Sequence, residues 1–178
     1  MIRRFLTVLL IVLGGSACSP FQQGPPSERL TAFQVVPNVP YRAQQARDDC
    51  GPAALASLMS FRGKDIPVEE ITRDVYTPEL EGSLLADMEN YARRQGFEAR
   101  TGQGTTDLLR SRIEAGCPVI VLIDTGLWVA TRPHYIVVYG FDEDSFLVHA
   151  GTEKGVLIRA DDLLARWQKM SRLYLYLE

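Results

Sequence analysis

Residues 44–55, QQARDDCGPAAL, contain a change from polar to apolar sequence. Polar residues give way at Cys50 to an apolar stripe of helical spacing, so we predict a helix that begins near Cys50 and ends at Gly63. A cysteine in the first turn of a helix lies beside unpaired N–H groups and the positive end of the helix dipole, and both lower the pKa of its thiol. Gly51 leaves room for a substrate backbone, and Pro52 needs no N–H partner there. This segment therefore predicts a reactive thiolate at a helix start.

A thiolate nucleophile needs a base, and the sequence contains two histidines. His134 belongs to the run PHYIVVYG at residues 133–140, whose β-branched and aromatic residues predict a strand. A base at a strand start can face a nucleophile at a helix start although the two lie far apart in sequence. We therefore predict Cys50 as nucleophile and His134 as base, with His149 structural or exposed. The plainer alternative makes Cys50 a small buried helix residue and His134 a structural one.

A glutamine upstream of the cysteine completes this candidate site. Gln44 lies six residues before Cys50. Its side-chain amide is predicted to form an oxyanion hole together with the backbone N–H of Cys50. Gln45 is the alternative donor, which the spacing favours less.

The remaining elements follow from periodicity and from glycine, proline and polar boundaries. Helices are predicted at residues 68–76, 83–95 (with Ser83 as N-cap), 105–115 and 161–170. Strands are predicted at residues 33–36, 118–123, 135–139, 145–148, 156–158 and 173–177. Helices come first and an antiparallel sheet follows, which is the α+β class.

These motifs together resemble a known family. Cys50 opens the helix sequence CGPA, Gln44 precedes it, and His134 opens HYIVVYG much later in the chain. The combination resembles the bacteriocin-processing, double-glycine-leader peptidases and their stand-alone relatives, over residues 37–178. The resemblance implies a papain-like fold and a peptide or protein substrate. No cofactor is expected, because the sequence contains no phosphate loop or dinucleotide fingerprint. It also implies that Cys50 is the nucleophile, His134 the general base and Gln44 the oxyanion donor.

One position departs from the family pattern. The family usually carries an Asp followed by Pro at the end of the strand after the histidine, and here Ala150 and Gly151 stand at those places. The third member that would orient His134 is therefore missing from its expected position. Asp124 is a possible substitute, because it would lie opposite His134 if residues 118–124 and 134–140 pair as a hairpin. Its plainer interpretation is an ordinary loop carboxylate.

The N-terminus reads as an export signal. Residues 1–17 combine two arginines, a nine-residue apolar run and small residues, and the run is too short to span a membrane. The stretch GSAC that ends at Cys18 resembles a bacterial lipobox, which implies a lipid on Cys18; a plain signal peptide is the alternative. Residues 18–36 are then the lipidated cysteine and a flexible tether, and residues 37–178 the peptidase domain. Ser19 after the cysteine favours the outer membrane, facing the periplasm.

Composition narrows the remaining possibilities. The net charge is −3 and no run of basic residues follows the signal, so nucleic acid is not an expected partner. The spacing of histidines and cysteines predicts no metal site. Cys117 is expected in the core, although a disulfide with Cys50 is an alternative in an oxidising compartment. Trp128 borders a substrate cleft, packs in the core or is exposed.

The expected activity is thiol-dependent hydrolysis of a peptide bond in the cell envelope. Because a fold does not fix function, two alternatives stay open. One is a peptidase-like module that binds a peptide without cleaving it, which Ala150 would permit. The other is a thiol transferase or amidase that acts on an envelope component.

Overall fold

The computed structural model describes residues 19–25, 27–126 and 130–178. The helices are α1 (Cys50–Phe61), α2 (Val68–Val75), α3 (Leu85–Arg94), α4 (Thr106–Glu114) and α5 (Ala160–Lys169), with short 3-10 helices at Ser27–Ala32 and Pro78–Leu80. The strands are β1 (Gln34–Val35), β2 (Tyr76–Thr77), β3 (Gly82–Ser83), β4 (Ala99–Gln103), β5 (Val119–Asp124), β6 (Pro133–Phe141), β7 (Ser145–Ala150), β8 (Glu153–Arg159) and β9 (Leu173–Leu177). The predicted α+β class is confirmed, as helices dominate the first half and strands the second.

One antiparallel sheet organises the domain. Its strand order is β4-β9-β5-β6-β7-β8, and β1 pairs with the far end of β6. The short strands β2 and β3 form a separate hairpin. The central strands β5, β6 and β7 are buried along most of their length, which explains their apolar, β-branched sequences.

Helix α1 lies against β6 and α3 and is buried on all sides. Every residue of Gly51–Met59 is buried, and a helix without an exposed face must be apolar or small throughout. A side chain at Gly51 would meet Met88 Sδ at 3.1 Å and Tyr135 Cδ2 at 3.2 Å. The expectation that Gly51 makes room for substrate is therefore wrong. Its missing side chain lets α3 and β6 pack closely against the start of α1.

Two local predictions differ from the structure. Helix α3 begins at Leu85, and its N-cap is Leu84 without a side-chain cap, because Ser83 pairs with Tyr76 in the β2–β3 hairpin. Strand β4 was not predicted, since its sequence ARTGQ has one buried residue, Ala99, and no apolar alternation. It forms only because β9 offers a complete backbone partner.

The segment predicted as a flexible tether is packed against the sheet. Gln22 and Leu157 exchange two backbone hydrogen bonds of 2.8 and 2.9 Å, so residues around Gln22 lie along β8. Val35 pairs with Gly140 in the main sheet. Residues 19–25 and 30–36 are thus part of the domain rather than a free linker. The predicted signal, Cys18 and Trp128 lie outside the described residues.

Among the residues that the structure describes, no helix combines the length and apolar character needed to cross a membrane.

Candidate active site

Cys50 and His134 line the same cleft, which has a volume of about 460 Å³. Cys50 is the first residue of α1, and His134 is the second residue of β6. The backbone N–H of Tyr135, next to His134, lowers the pKa of the Cys50 thiol and so lies near its sulfur. The two predicted reactive groups, 84 residues apart in the chain, are therefore brought together by the docking of α1 on β6.

The Cys50 thiol does not have the lowered pKa that its helix position predicts. Burial is the largest effect and raises the pKa of Cys50, and the carboxylate of Asp49 adds to the rise. The backbone N–H groups of Tyr135, Gly51 and Cys50 itself lower the pKa, as expected at a helix start, but burial outweighs them. The free site therefore holds a protonated thiol at neutral pH.

The His134 imidazole is also neutral in the free site. Burial, assisted by the positive charge of Arg132, lowers the pKa of His134 to about 4. Within the described ranges, neither ring nitrogen of His134 has a hydrogen-bond partner, and no hydrogen bond joins it to Cys50. Hydrogen bonds between catalytic groups are often long in free enzymes and tighten when substrate binds. An unprotonated imidazole with free nitrogens is ready to accept a proton.

Gln44 lies beside His134, since both line a recess next to Gly151. Its side-chain Nε2 donates a hydrogen bond of 3.1 Å to the carbonyl oxygen of Ala46. The Asp49 carboxylate holds this loop by accepting hydrogen bonds from the backbone N–H groups of Gln45 and Ala46, both at 3.0 Å. Asp49 is thus a loop-forming residue that the sequence analysis missed; an acidic residue directly before the cysteine was the available signal. The oxyanion role of Gln44 stays a prediction.

The structure does not bring Asp124 to His134. The predicted register is wrong by one residue, because Asp124 pairs with Pro133 and Ile123 pairs with His134. Side chains alternate along a strand, so the Asp124 carboxylate lies on the opposite face of the sheet from His134. It accepts hydrogen bonds from the backbone N–H groups of Gly126 and Arg132, both at 2.8 Å, and from Lys169 Nζ at 3.2 Å.

These contacts explain the ionisation of Asp124. Burial raises the pKa of Asp124, but the two N–H groups and Lys169 together lower it by more. The net pKa therefore lies below the ordinary value. Asp124 is a charged anchor that joins the β5–β6 connection to α5.

Ala150 lies where an orienting carboxylate would reach His134. It pairs with Ile136, so the two side chains share a face of the sheet, and His134 is on that face two residues earlier in β6. Ala150 is 3% exposed. Its methyl group offers no hydrogen-bond acceptor, so the departure noted in the sequence leaves His134 without this partner.

The two free cysteines among the described residues are at opposite ends of α1. Cys117 is buried, and Nη2 of Arg62, the residue that follows α1, lies 3.4 Å from its sulfur. A disulfide needs Cα atoms within about 7 Å, whereas a helix of this length spans about 18 Å. Cys117 is a core residue, as predicted, and cannot pair with Cys50 in this fold.

The arrangement defines a class of protein. A helical half and an antiparallel sheet meet at a cleft that has a cysteine at a helix start on one side and a histidine at a strand start on the other. This is the architecture of papain-like thiol hydrolases. The chain belongs to the Peptidase C39 family, whose model matches residues 38–174. It is accordingly a peptidase, a hydrolase of peptide bonds.

Solved structures share the fold. The peptidase domain of Streptococcus ComA, a bifunctional ABC transporter involved in a quorum-sensing pathway, is 23% identical, with a TM-score of 0.65 over 78% of this chain and 98% of that chain. A C39-like peptidase from Bacillus anthracis is 14% identical, with a TM-score of 0.68 over 81% and 96%. A double-glycine-motif protease from an AMS/PCAT transporter, solved with the leader peptide, is 20% identical, with a TM-score of 0.63 over 79% and 91%. No curated protein matched the sequence.

Proposed function

We propose that this chain is an exported, lipid-anchored cysteine peptidase that cleaves a peptide or protein in the bacterial cell envelope through Cys50 and His134. The observation that carries the proposal is the single cleft that both residues line, one at the start of α1 and the other at the start of β6. Family membership supplies the reaction class.

The neutral state of both groups sets the order of the chemical steps. The Cys50 sulfur attacks the substrate carbonyl while His134 accepts the thiol proton, so the ion pair forms during the attack. The Cys50 backbone N–H and the Gln44 amide stabilise the oxyanion. His134 then gives its proton to the leaving amine, and water hydrolyses the thioester with His134 again as base.

The cleft fits an extended peptide with an apolar side chain near the cleaved bond. Leu80 and Leu84 line it and are 57% and 48% exposed, which is unusual for leucine in this domain. Both belong to the segment around the β2–β3 hairpin, directly beside the start of α1. Apolar side chains that stay exposed at a cleft are typical of ligand contacts. The sequence that this peptidase cuts is not implied by its relatives.

The proposed location is the periplasmic face of the outer membrane, with a lipid on Cys18. The support is the positively charged, apolar and small-residue pattern of residues 1–17 and the lipobox-like GSAC. Replacement of Cys18 by Ser would then release the protein from the membrane fraction into the soluble fraction. Equal membrane retention of both forms would contradict lipid anchoring.

Peptide turnover is the direct test of the proposed activity. The purified protein is incubated with a proteome-derived peptide mixture, and new amino termini are identified by mass spectrometry. The wild type should release them, Cys50→Ala should not, and the matched control Cys117→Ala should behave as wild type.

Saturable peptide binding without new termini would instead identify a binding module. A product that contains a second amine or hydroxyl component would identify a transferase. Either result overturns the peptidase proposal.

A further inference from the structure

The buried side-chain oxygen of Gln44 lies next to His134, which has no hydrogen-bond partner among the described residues. Gln44 Oε1 is buried and accepts no hydrogen bond, which is costly for an amide oxygen. Gln44 and His134 line a common recess of about 340 Å³, together with Ala150 and Gly151. The unused acceptor of Gln44 and the imidazole of His134 therefore lie at the same recess.

The orientation of the Gln44 amide is fixed by its neighbour. The carbonyl oxygen of Ala46 can only accept, and it lies 3.1 Å from Nε2. Rotating the amide by half a turn would place two acceptors against each other, so the nitrogen must face Ala46 and the oxygen must face the recess. The loop that carries this contact is held by Asp49.

Gly151 shows how closely the two side chains approach. A Cβ built on Gly151 would lie 2.4 Å from Gln44 Oε1 and 3.0 Å from Cε1 of His134. Any side chain at this position would therefore displace one of the two groups, and the φ of +59° also favours glycine. The sequence pair Ala150 and Gly151 leaves open the space in which Gln44 and His134 meet.

We infer that Gln44 Oε1 is the acceptor that positions His134 and stabilises its protonated form, in place of the carboxylate that Ala150 lacks. Both ring nitrogens of His134 are bonded to Cε1, so rotation of either side chain can bring the oxygen to one of them. Gln44 is therefore a positioning residue for His134 through its side-chain oxygen. Its side-chain nitrogen remains available for the predicted oxyanion hole. The catalytic meaning rests on the proposed peptidase function, but the contact itself does not.

The contact is tested by NMR titration of the two histidines. Cys50→Ala is the parent, because a titrating thiol would couple to His134. Adding Gln44→Glu places a full negative charge at the oxygen and should raise the measured pKa of His134 by about one pH unit or more. Gln45→Glu is the matched control, with the same net charge one residue away, and His149 is the internal reference.

The two glutamate variants give a clear decision. A rise at His134 in Gln44→Glu only supports the inference. Equal effects of the two variants, or no change at His134 in Gln44→Glu, overturn it. This measurement needs no activity, so its outcome is separate from that of the peptide-turnover experiment.

Rescue tests the catalytic meaning. Gln44→Ala should lower kcat/KM, and adding Ala150→Asp should recover at least about tenfold of the loss by restoring an acceptor for His134. The recovery should come with a change in the acid limb of the pH–rate profile, which a packing effect would not cause. A double variant no faster than Gln44→Ala would overturn the positioning role.

Discussion

His149 and His134 lie on the neighbouring strands β7 and β6 and are both buried from water, but they differ in their hydrogen bonds. Burial lowers the pKa of each to about 4. His149 has both nitrogens engaged, because Nδ1 accepts from the Gly155 N–H at 3.0 Å and Nε2 faces the Val39 oxygen at 3.3 Å. Tyrosine rings also flank it, with centroids 4.3 and 5.3 Å away. His134 lines the cleft, and in the part of the chain that the structure describes its nitrogens have no hydrogen-bond partner.

The contrast shows that a shifted pKa does not by itself mark a reactive histidine. The bonds of His149 fix it in the neutral tautomer with the proton on Nε2, and they tie the segment before α1 to strands β7 and β8. His134 is equally neutral, but no described residue donates a hydrogen bond to its nitrogens, so a thiol proton can be accepted there. The prediction that His149 is structural agrees with these contacts.

Replacing His134 should have the largest effect on activity and a small effect on stability. His134→Ala removes the base, so kcat/KM should fall by about 10² to 10⁴-fold, as measured with the peptides found in the turnover experiment. The free energy of unfolding should change by about 1 kcal/mol or less, since no hydrogen bond is lost. Retained activity would contradict the assignment of His134 as base.

Replacing His149 should do the reverse. His149→Leu leaves the buried Val39 carbonyl and the Gly155 N–H without their partner, which should cost about 2–3 kcal/mol of unfolding free energy, measured by urea denaturation. Activity per folded molecule should stay within about threefold of wild type, because the cleft residues are not touched. A specific loss of kcat in folded protein would show that His149 takes part in the reaction.

Acid should destabilise the fold through both histidines. The unfolded chain binds their protons near pH 6.5, whereas the folded chain binds them only near pH 4. Stability should therefore fall as the pH decreases from about 6.5 to about 4, by up to about 3 kcal/mol for each histidine. The slope of unfolding free energy against pH reports how many more protons the unfolded chain binds than the folded chain. In that pH window this number should be smaller by up to one in His149→Leu. An unchanged slope would contradict a buried neutral His149.

The smallest effect is expected for the His134 variant in thiol alkylation. With the Cys50 pKa raised and His134 neutral, the rate with iodoacetamide should be low at pH 7 and increase above pH 9, the ordinary value for the thiol. His134→Ala should change the rate at pH 7 by less than about twofold, because no ion pair exists in the free site. A rate plateau near pH 7 that disappears in the variant would instead show a resting thiolate and imidazolium.

Features that depend on neighbouring residues in the chain could be predicted from the sequence alone. The apolar stripe from Ala53 and the strand pattern after His134 depend on neighbours in the chain, so α1, β6 and β9 were predicted close to their observed bounds. The departure at Ala150 was visible in the same way. Strand β4 was missed because its stability comes from pairing with β9, not from its own residues.

The sequence by itself determined the class of protein, since the order of helices and strands and the residue types at Cys50, His134 and Gln44 are local properties. Only the tertiary structure decided how these groups behave. Burial reversed the expected direction of the Cys50 pKa shift. The strand register placed Asp124 on the opposite face of the sheet from His134. The absence of a side chain at Gly151 leaves room for Gln44 next to His134. Each of these depends on atoms that are distant in the chain, and desolvation, register and close approach exist only once the chain has folded.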